Sequence, residues 1–290
     1  MQALAHQLLS GLSTGAIYAG LAVALVVVFK TTHHVNFAQG EMAMFATYVA
    51  SWLVQKGLPF WAAFVITLAC AFVGGVVIER AIVRWVEHAP VLSVVIVFIG
   101  LLVICNSLAA WIFGSSIVAF PSPFPSDAWY GSIYLAPQEV GMIAVTVLVL
   151  VCVFLFFRFT RLGLAMRAAA ENAQSSRLVG VRVGWMLALG WGLAALLGAV
   201  AGMMTAPVVY LSPNMMEGVL LYGFAAALLG GIDNPWGAAV GGFIVGVLDN
   251  LAGAYVVGTQ LKQAVALMVI VGVVTFKPAG LFGRAVVARV

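Results

Sequence analysis

The stretch RFTRLGLAMRAAAENAQSSRLVGVRVG, residues 158–184, is the longest polar interval in an otherwise apolar chain. It contains five arginines against one acid, Glu171, and apolar runs flank it on both sides. A polar interval of this kind is typical of a loop between membrane helices, and its positive charge indicates the cytoplasmic side. Residues 164–170 are strong helix formers, whereas residues 172–176 weaken the run. We therefore predict a bent helical segment that lies against the cytoplasmic face and that a soluble partner could hold.

The composition is that of a polytopic helical membrane protein. Of the 290 residues, 64% are hydrophobic and 8% are charged, whereas soluble domains carry roughly 25% charged residues. The mean hydropathy is +1.15, and the chain contains many runs of the roughly 20 apolar residues that suffice to cross a bilayer. We predict an all-α transmembrane bundle that forms a single domain over residues 1–290.

The basic residues between the apolar runs predict the orientation of the chain. Of the 13 Lys and Arg residues, only Lys56 and Lys262 fall on the side opposite the 158–184 loop. This positive-inside bias predicts an N-out, C-in chain with eight or nine membrane segments. The predicted spans are 8–29, 40–55, 60–79, 91–113, 139–157, 185–207, 218–231, 237–257 and 262–276.

Two of these spans are too short to cross the bilayer unaided. Residues 40–55 would form a helix about 24 Å long and residues 218–231 one about 21 Å long, whereas the hydrocarbon core is about 30 Å thick. Each follows a long span rich in Gly and Ala and precedes another full span, and the two triplets run in opposite directions. Short segments at matching places in inverted halves indicate a transport pathway near the midplane. The alternative is two ordinary short helices that are tilted or buried in protein.

Small residues at helix-packing spacing predict a compact bundle. Gly-x-x-x-Gly pairs let helix backbones approach closely, and in a polytopic protein they indicate internal packing more than dimerisation. The pairs are Gly11/Gly15, Gly198/Gly202, Gly237/Gly241 and Gly242/Gly246.

The longest loop predicted on the periplasmic side is 114–138. Its prolines stiffen it, and its aromatic residues either sit at the membrane interface or meet a partner. The residues concerned are Pro121, Pro123, Pro125, Asp127, Trp129 and Tyr130.

No motif in the chain provides catalytic chemistry. No lysine belongs to a Gly-Lys-Ser/Thr sequence, and neither G-x-S-x-G nor H-E-x-x-H occurs. The three cysteines lie inside apolar runs at wide spacing, which favours small buried hydrophobes over a disulfide or a metal site. We expect no catalytic residue, no metal, no cofactor bound by this chain and no nucleic-acid partner. Uphill transport would therefore draw its energy from an ion gradient or from another polypeptide.

Polar residues inside the apolar spans are the next candidates for function. A charge at the centre of a bilayer costs about 2.5–3.5 kcal/mol on insertion scales, so such residues usually face the bundle interior or water. They line a translocation pathway or form hydrogen-bonded pins between helices, and the sequence leaves both roles open. These residues are Asn36, Gln39, Glu41, Asn106, Tyr222, Asp249 and Asn250.

The chain contains four motifs in a fixed order that cover nearly its whole length. They are GLSTGAIYAG (11–20) with VNFAQGE (35–41), GLAMRAAAENAQSSRLVGV (163–181), FAAALLGGIDNPWGAAVGG (224–242) and KPAGLFGR (277–284). Together they resemble the LivH-type permease of bacterial branched-chain amino acid ABC importers. The first is similar to that family's first span and N-F-A-H-G signature, and the second to its ATPase-docking loop. The third and fourth are similar to its A-x-L-G-G-I stretch and its R-P-x-G-L-F-G ending.

Departures from the family pattern at positions 39 and 233–234 bear on the substrate, whereas position 249 keeps an acid. Gln39 stands where His is common, Asp233 and Asn234 replace Gly-Ser, and Asp249 falls where relatives tend to have Glu. Leucine-type specificity is therefore the default expectation. The runner-up is a permease for urea, short amides or sugars in the same superfamily.

The resemblance implies a permease subunit in the bacterial inner membrane that moves hydrophobic amino acids inward by alternating access. The importer would be completed by a second permease, which is expected to give a heterodimer, and by a periplasmic binding protein. Two cytoplasmic ATPase subunits would hold ATP and Mg. ATP-driven closure would push on residues 163–180, and the two helix triplets would rock around the midplane. Residues 168–170 would pack into a groove of the ATPase. The residues expected to carry this coupling are Gly163, Arg167, Ala169, Ala170, Glu171, Arg177 and Gly180.

Two other classes of protein remain as alternatives. A secondary carrier would need an ion gradient and no ATPase. An intramembrane enzyme or haem protein would use His33, His34 and Glu41, although a solvated histidine pair beside Lys30 is the simpler interpretation.

Overall fold

The computed structural model describes residues 2–86, 89–125, 136–256 and 258–283, and this part of the chain is built from helices. A π-helical turn, Glu79–Val83, joins α3 to α4, and a short 3-10 turn, Thr259–Leu261, precedes α12. The helices are α1 (Gln2–Thr32), α2 (Gln39–Gln55), α3 (Phe60–Ile78), α4 (Arg84–Val86), α5 (Val91–Phe113), α6 (Pro137–Phe159), α7 (Arg161–Glu171), α8 (Ala173–Leu178), α9 (Val183–Val209), α10 (Glu217–Gly230), α11 (Pro235–Tyr255) and α12 (Lys262–Phe276).

Every predicted span coincides with a helix, and the all-α membrane bundle is confirmed. Six helices of the described chain are long and apolar enough to cross a bilayer: α1, α3 with its extension to Val86, α5, α6, α9 and α11. The two spans predicted to be short are helices of 17 residues (α2) and 14 residues (α10). The total of eight or nine membrane segments stays a prediction.

Helices α1 and α9 form the centre of the bundle, and α3, α5 and α6 surround them. The most apolar windows of α1 and α9 are 83% and 72% buried, against 22%, 17% and 17% for α3, α5 and α6. Surfaces this apolar are stable in lipid, where they need no protein cover. For the same reason the predicted burial of the cysteines is wrong for Cys70 and Cys152, which are exposed on α3 and α6.

Glycine allows α1 and α11 to pack backbone against backbone. A Cβ atom added at Gly11 would lie 2.8 Å from the Val247 Cα, and one at Gly15 would lie 2.8 Å from the Phe243 Cα. Backbone atoms cannot move aside as a flexible side chain does, so only glycine fits at either position. The predicted internal packing is confirmed for the other pairs as well, since Gly242/Gly246 contact α1, Gly198/Gly202 contact α2 and Gly237/Gly241 contact α10.

Helices α1 and α9 run antiparallel across the centre. Thr31, near the end of α1, contacts Gly190 near the start of α9, whereas Gly20 approaches Ala201 towards the end of α9. The packing partners also correspond: α1 lies on α11 and α10, while α9 lies on α3 and α2. Exchanging α1, α2 and α3 for α9, α10 and α11 therefore reproduces the same set of helix pairs.

The π-helical turn was not predicted from the sequence. It brings the Arg80 guanidinium over the Trp185 ring, with 3.9 Å between the guanidinium carbon and the ring centroid. The turn thereby joins the end of α3 to the first residues of α9.

The described part of the 114–138 loop packs onto the bundle. Val118 and Leu211 exchange two backbone hydrogen bonds of 2.9 Å, and Phe120 is buried. Residues named in the sequence analysis that lie outside the described residues are Asp127, Trp129 and Tyr130.

Candidate functional site

The polar segment between α6 and α9 folds into two short helices, which confirms the predicted bend. The Thr160 hydroxyl accepts a 2.9 Å hydrogen bond from the Gly163 amide and caps α7. Asn172 interrupts the helix, and its side-chain oxygen accepts a 2.9 Å bond from the Ser175 amide to cap α8. Gly180 ends the segment with φ +84°, a left-handed conformation that favours glycine. We call α7 and α8 together the α7–α8 segment.

One face of the α7–α8 segment packs on its own chain and the other is open. Gly163, Met166 and Ala169 recur at helical spacing and are buried, and α7 lies against α6 and α9. A Cβ added at Gly163 would come within 2.6 Å of the Phe157 Cα, so glycine sets the distance between α7 and α6.

The open face carries both charge and apolar surface. Arg167, Ala168 and Glu171 are exposed on α7, as is Arg177 on α8, and the Leu178 side chain is 88% exposed. Ala170 is partly buried. Because Ala169 is buried inside the chain, a docking partner cannot contact its side chain as the sequence analysis expected.

Asn36 and Gln39 form a buried pin at the start of α2. The Asn36 amide nitrogen donates to the Gln39 side-chain oxygen at 3.2 Å, and the Asn36 oxygen accepts from the Ala38 amide at 3.0 Å. Gln39 in turn donates to the Ala194 carbonyl oxygen at 2.9 Å, which ties α2 to α9. Both side chains are fully buried and hydrogen-bonded, so this geometry is that of a structural contact.

Glu41 and Asn106 meet, but at a different place. The Asn106 amide nitrogen lies 3.2 Å from a Glu41 carboxylate oxygen, 3.0 Å from the Pro213 carbonyl oxygen and 3.1 Å from the Asn214 side-chain oxygen. Asn106 thereby connects α2, α5 and the loop between α9 and α10. The polar residue that interrupts the fourth predicted span is explained by these contacts.

Asp249 belongs to a third cluster, together with Tyr222 and two residues that the sequence analysis missed. Asp249 is 4% exposed, its carboxylate accepts a 3.4 Å hydrogen bond from the Tyr18 hydroxyl, and Lys262 lies 3.8 Å away. The Tyr18 and Tyr222 rings stack with 4.7 Å between their centroids. Asn250, one residue further, donates to the Gln7 carbonyl oxygen at 3.3 Å and fixes α11 on α1.

A charge-balance argument could have found Lys262. An acid buried in a membrane span is expected to pair with a cation, and Lys262 begins the next helix after Asp249. A weaker signal existed for Tyr18: Ser10, Thr14 and Tyr18 recur at helical spacing on α1, but the sequence does not show that this face meets α11.

Two cavities lie between α1 and α6, towards opposite ends of these helices. The Ser13 cavity, of about 370 Å³, lies at the first half of α1 and the start of α6. It mixes hydroxyl groups with apolar side chains, and the Ser13 hydroxyl is buried without a described hydrogen-bond partner. The Arg158 cavity, of about 840 Å³, lies between the ends of α1 and α6, α7 and the start of α11.

The polar residues of the described chain form separate structural contacts beside two cavities, and they do not come together as one catalytic site. Within residues 2–86, 89–125, 136–256 and 258–283, no group of three or more His, Cys, Asp or Glu residues is placed to hold a metal ion. His33 and His34 both lie at the turn after α1, and the Glu41 carboxylate accepts a hydrogen bond from Asn106.

A helical bundle with apolar outer faces and internal polar contacts has the architecture of a multi-pass membrane protein. The family model described as "Branched-chain amino acid transport system / permease component" matches residues 7–274, and the chain belongs to that family.

Two relatives match this chain over nearly the full length of both proteins. The chain is 29% identical to the high-affinity branched-chain amino acid transport system permease protein LivH of Escherichia coli K12, over 98% of this chain and 97% of the relative. It is 31% identical to the corresponding protein BraD of Pseudomonas aeruginosa, with the same coverage. A more distant relative, the fructose import permease protein FruF of Bifidobacterium longum, is 23% identical over 84% of this chain and 70% of the relative.

Proposed function

We propose that this chain is the membrane-spanning permease subunit of a bacterial inner-membrane ABC importer that moves branched-chain or other hydrophobic amino acids into the cytoplasm. The substrate class follows that named for LivH and BraD, to which the chain is similar over nearly its full length. Two ATPase subunits would bind ATP and Mg, and a second permease and a periplasmic binding protein would complete the complex. Residues 1–290 would form one permease domain, with loop 158–184 in the cytoplasm and loop 114–138 in the periplasm.

The observation that carries this proposal is the α7–α8 segment. It is capped at both helix starts, held at a fixed distance from α6 by Gly163, and open on its other face. A rigid segment anchored on the central helix α9 can pass a push from a soluble partner into the bundle. Arg167, Ala168 and Glu171 are the exposed side chains that would meet the ATPase.

The Ser13 cavity is the proposed solute-accessible end of the pathway. Its size falls within the range of about 300–1,000 Å³ that is usual for small-ligand pockets. The polar part of its lining includes Ser10, Ser13, Thr14, Gln138 and Glu139, and the apolar part includes Met142 and Val219. A neutral amino acid with an apolar side chain has matching chemistry.

The inverted-repeat arrangement is part of the same proposal. The antiparallel run of α1 against α9 and the matched helix pairs support two halves related by an axis in the membrane plane. The halves would alternate between outward-open and inward-open states. The contacts of Asp249 and Glu41 with residues of other helices support the role of structural pins.

A pull-down from native membranes tests the assembly. Tagged protein should bring down two ATPase subunits and a second permease, whose identity would also decide between a homodimer and a heterodimer. A chain that moves substrate in liposomes without ATP would refute the importer and support a secondary carrier. Competition of uptake by leucine, urea and fructose would decide between the amino-acid substrate and the runner-up solutes.

A double variant tests the coupling face. Arg167→Gln with Glu171→Gln should leave membrane insertion intact while substrate-stimulated uptake falls at least tenfold and basal ATP hydrolysis continues. Arg161→Gln, on the same helix, is the control with one charge removed. Normal uptake by the double variant would contradict the assignment of this face.

A further inference from the structure

The Arg158 cavity has a basic mouth and an apolar interior. Lys30, Arg158 and Arg167 contribute to its lining, as do Val23 and Leu150. Leu150 precedes Arg158 by eight residues on α6, about 12 Å along a helix, and Val23 precedes Lys30 by seven residues on α1, about 10 Å. Both walls therefore change from charged to apolar over the same depth, so the cavity suits an amphipathic ligand.

The charge of the mouth favours an anion. Lys30, Arg158 and Arg167 face only two acids in the lining, Glu171 and Asp233. Within the described part of the chain, none of these five side chains is placed in an ion pair. Arginine forms strong bidentate hydrogen bonds with phosphate, whereas an isolated cation beside apolar walls has no such partner.

We propose that the Arg158 cavity binds an anionic phospholipid. Its phosphate would lie among Lys30, Arg158 and Arg167, and an acyl chain would lie between α1 and α6 along Val153 and Phe157. Basic pockets between membrane helices on the cytoplasmic side are a recurring site for anionic lipid head groups. A free anion would leave the apolar interior unfilled, and a peptide from a soluble partner would have to insert its backbone at the depth of the hydrocarbon.

The α7–α8 segment forms part of the same cavity, through Leu164 and Ala168. A bound lipid would therefore contact the segment proposed to meet the ATPase. Lipid binding itself requires no ATPase, so its failure would leave the importer assignment standing, and failure of the importer assignment would leave the lipid site standing.

Native mass spectrometry of the purified permease tests the site with phosphatidylglycerol and phosphatidylcholine of identical acyl chains. The wild-type protein should retain phosphatidylglycerol at least fivefold more than phosphatidylcholine. Lys30→Gln with Arg158→Gln should abolish this preference. The control, Arg161→Gln with Arg182→Gln, removes the same charge from exposed positions that do not line the cavity and should keep the preference.

A second variant separates a lipid from a free anion. Val153→Trp fills the interior without changing any charge, and it should lower phosphatidylglycerol binding at least fivefold while size-exclusion elution stays at the wild-type position. Equal retention of both lipids by the wild type would overturn the proposal. Full displacement of the lipid by millimolar inorganic phosphate, together with normal lipid binding by the Trp variant, would also overturn it and indicate a free-anion site. Loss of the lipid when the complex assembles would overturn it as well and indicate that a protein partner occupies the cavity.

Discussion

Replacing Lys262 by methionine removes the cation that lies 3.8 Å from the Asp249 carboxylate. Methionine retains most of the aliphatic stem that packs against Gly253, so the main change is the loss of charge. The Tyr18 hydroxyl remains, with a long hydrogen bond of 3.4 Å, and the Tyr222 hydroxyl also interacts with the carboxylate. Neither hydroxyl carries a positive charge that would neutralise an acid that is 4% exposed. The variant therefore leaves a nearly unpaired carboxylate inside the bundle.

The size of the effect follows from the geometry. Two unit charges about 4 Å apart attract by about 4 kcal/mol at an effective dielectric of about 20, and removing one partner of a buried pair costs about 3–5 kcal/mol. The Lys262 side chain is 28% exposed, so solvent screens part of this attraction. We expect Lys262→Met to lower the free energy of unfolding by about 2–3 kcal/mol.

Asp249→Asn should cost less, about 1 kcal/mol, because the amide keeps a partner for Tyr18 and Lys262 can extend to the membrane interface. In the double variant no charge remains unpaired. It should therefore be more stable than Lys262→Met alone, with a coupling energy of about 1–2 kcal/mol.

Unfolding in mixed micelles with increasing dodecyl sulfate measures all three variants, with uptake as a second readout. If Asp249 is a structural pin, uptake by each variant should fall in proportion to its loss of stability. Strictly additive effects on stability would refute the pairing argument. Full stability of Asp249→Asn with abolished uptake would instead place Asp249 on the translocation pathway.

Two further predictions compare matched glycines. Gly15→Ala should lower the free energy of unfolding by about 2–3 kcal/mol because its Cβ meets the Phe243 backbone. The control Gly74→Ala, whose Cβ meets no atom within 4 Å, should change it by less than about 1 kcal/mol. Equal denaturation midpoints for the two variants would contradict the α1–α11 packing. Gly163→Ala should shift α7 away from α6 and reduce ATP-dependent uptake severalfold, and Gly184→Ala, also without a neighbouring atom, should leave uptake unchanged. A Gly163 variant with wild-type uptake would show that the spacing of α7 does not matter for coupling.

The positions of the helices could be predicted because lipid forces each apolar run to satisfy its own backbone hydrogen bonds. The bend at Asn172 was likewise predictable, since an Asn side chain competes for backbone groups and caps the next helix. Glycine spacing predicted close helix packing of the kind seen between α1 and α11, although the sequence did not show which glycines would meet. Composition therefore determined the elements and part of their packing.

The pairing of the polar residues could not be predicted in the same way. Tyr18 and Asp249 are 231 positions apart, and the hydroxyl residues that share a face of α1 with Tyr18 do not indicate that this face meets Asp249. Glu41 is a close neighbour of Asn36 and Gln39 in sequence. In the structure Glu41 points to Asn106, because successive residues of a helix face different neighbours.

The packing also changes which helices would move together. Close backbone contacts through glycine join α1 to α11 and α11 to α10, and on the other side join α9 to α3 and to α2. Gln39 strengthens the second group through the Ala194 carbonyl oxygen. The rigid groups therefore cross the sequence triplets that were expected to rock as units. Between the groups, α1 meets α9 through side chains, as at Gly20 and Ala201. Because side chains can slide and change rotamer where glycine-packed backbones cannot, we expect an alternating movement to occur at α1–α9.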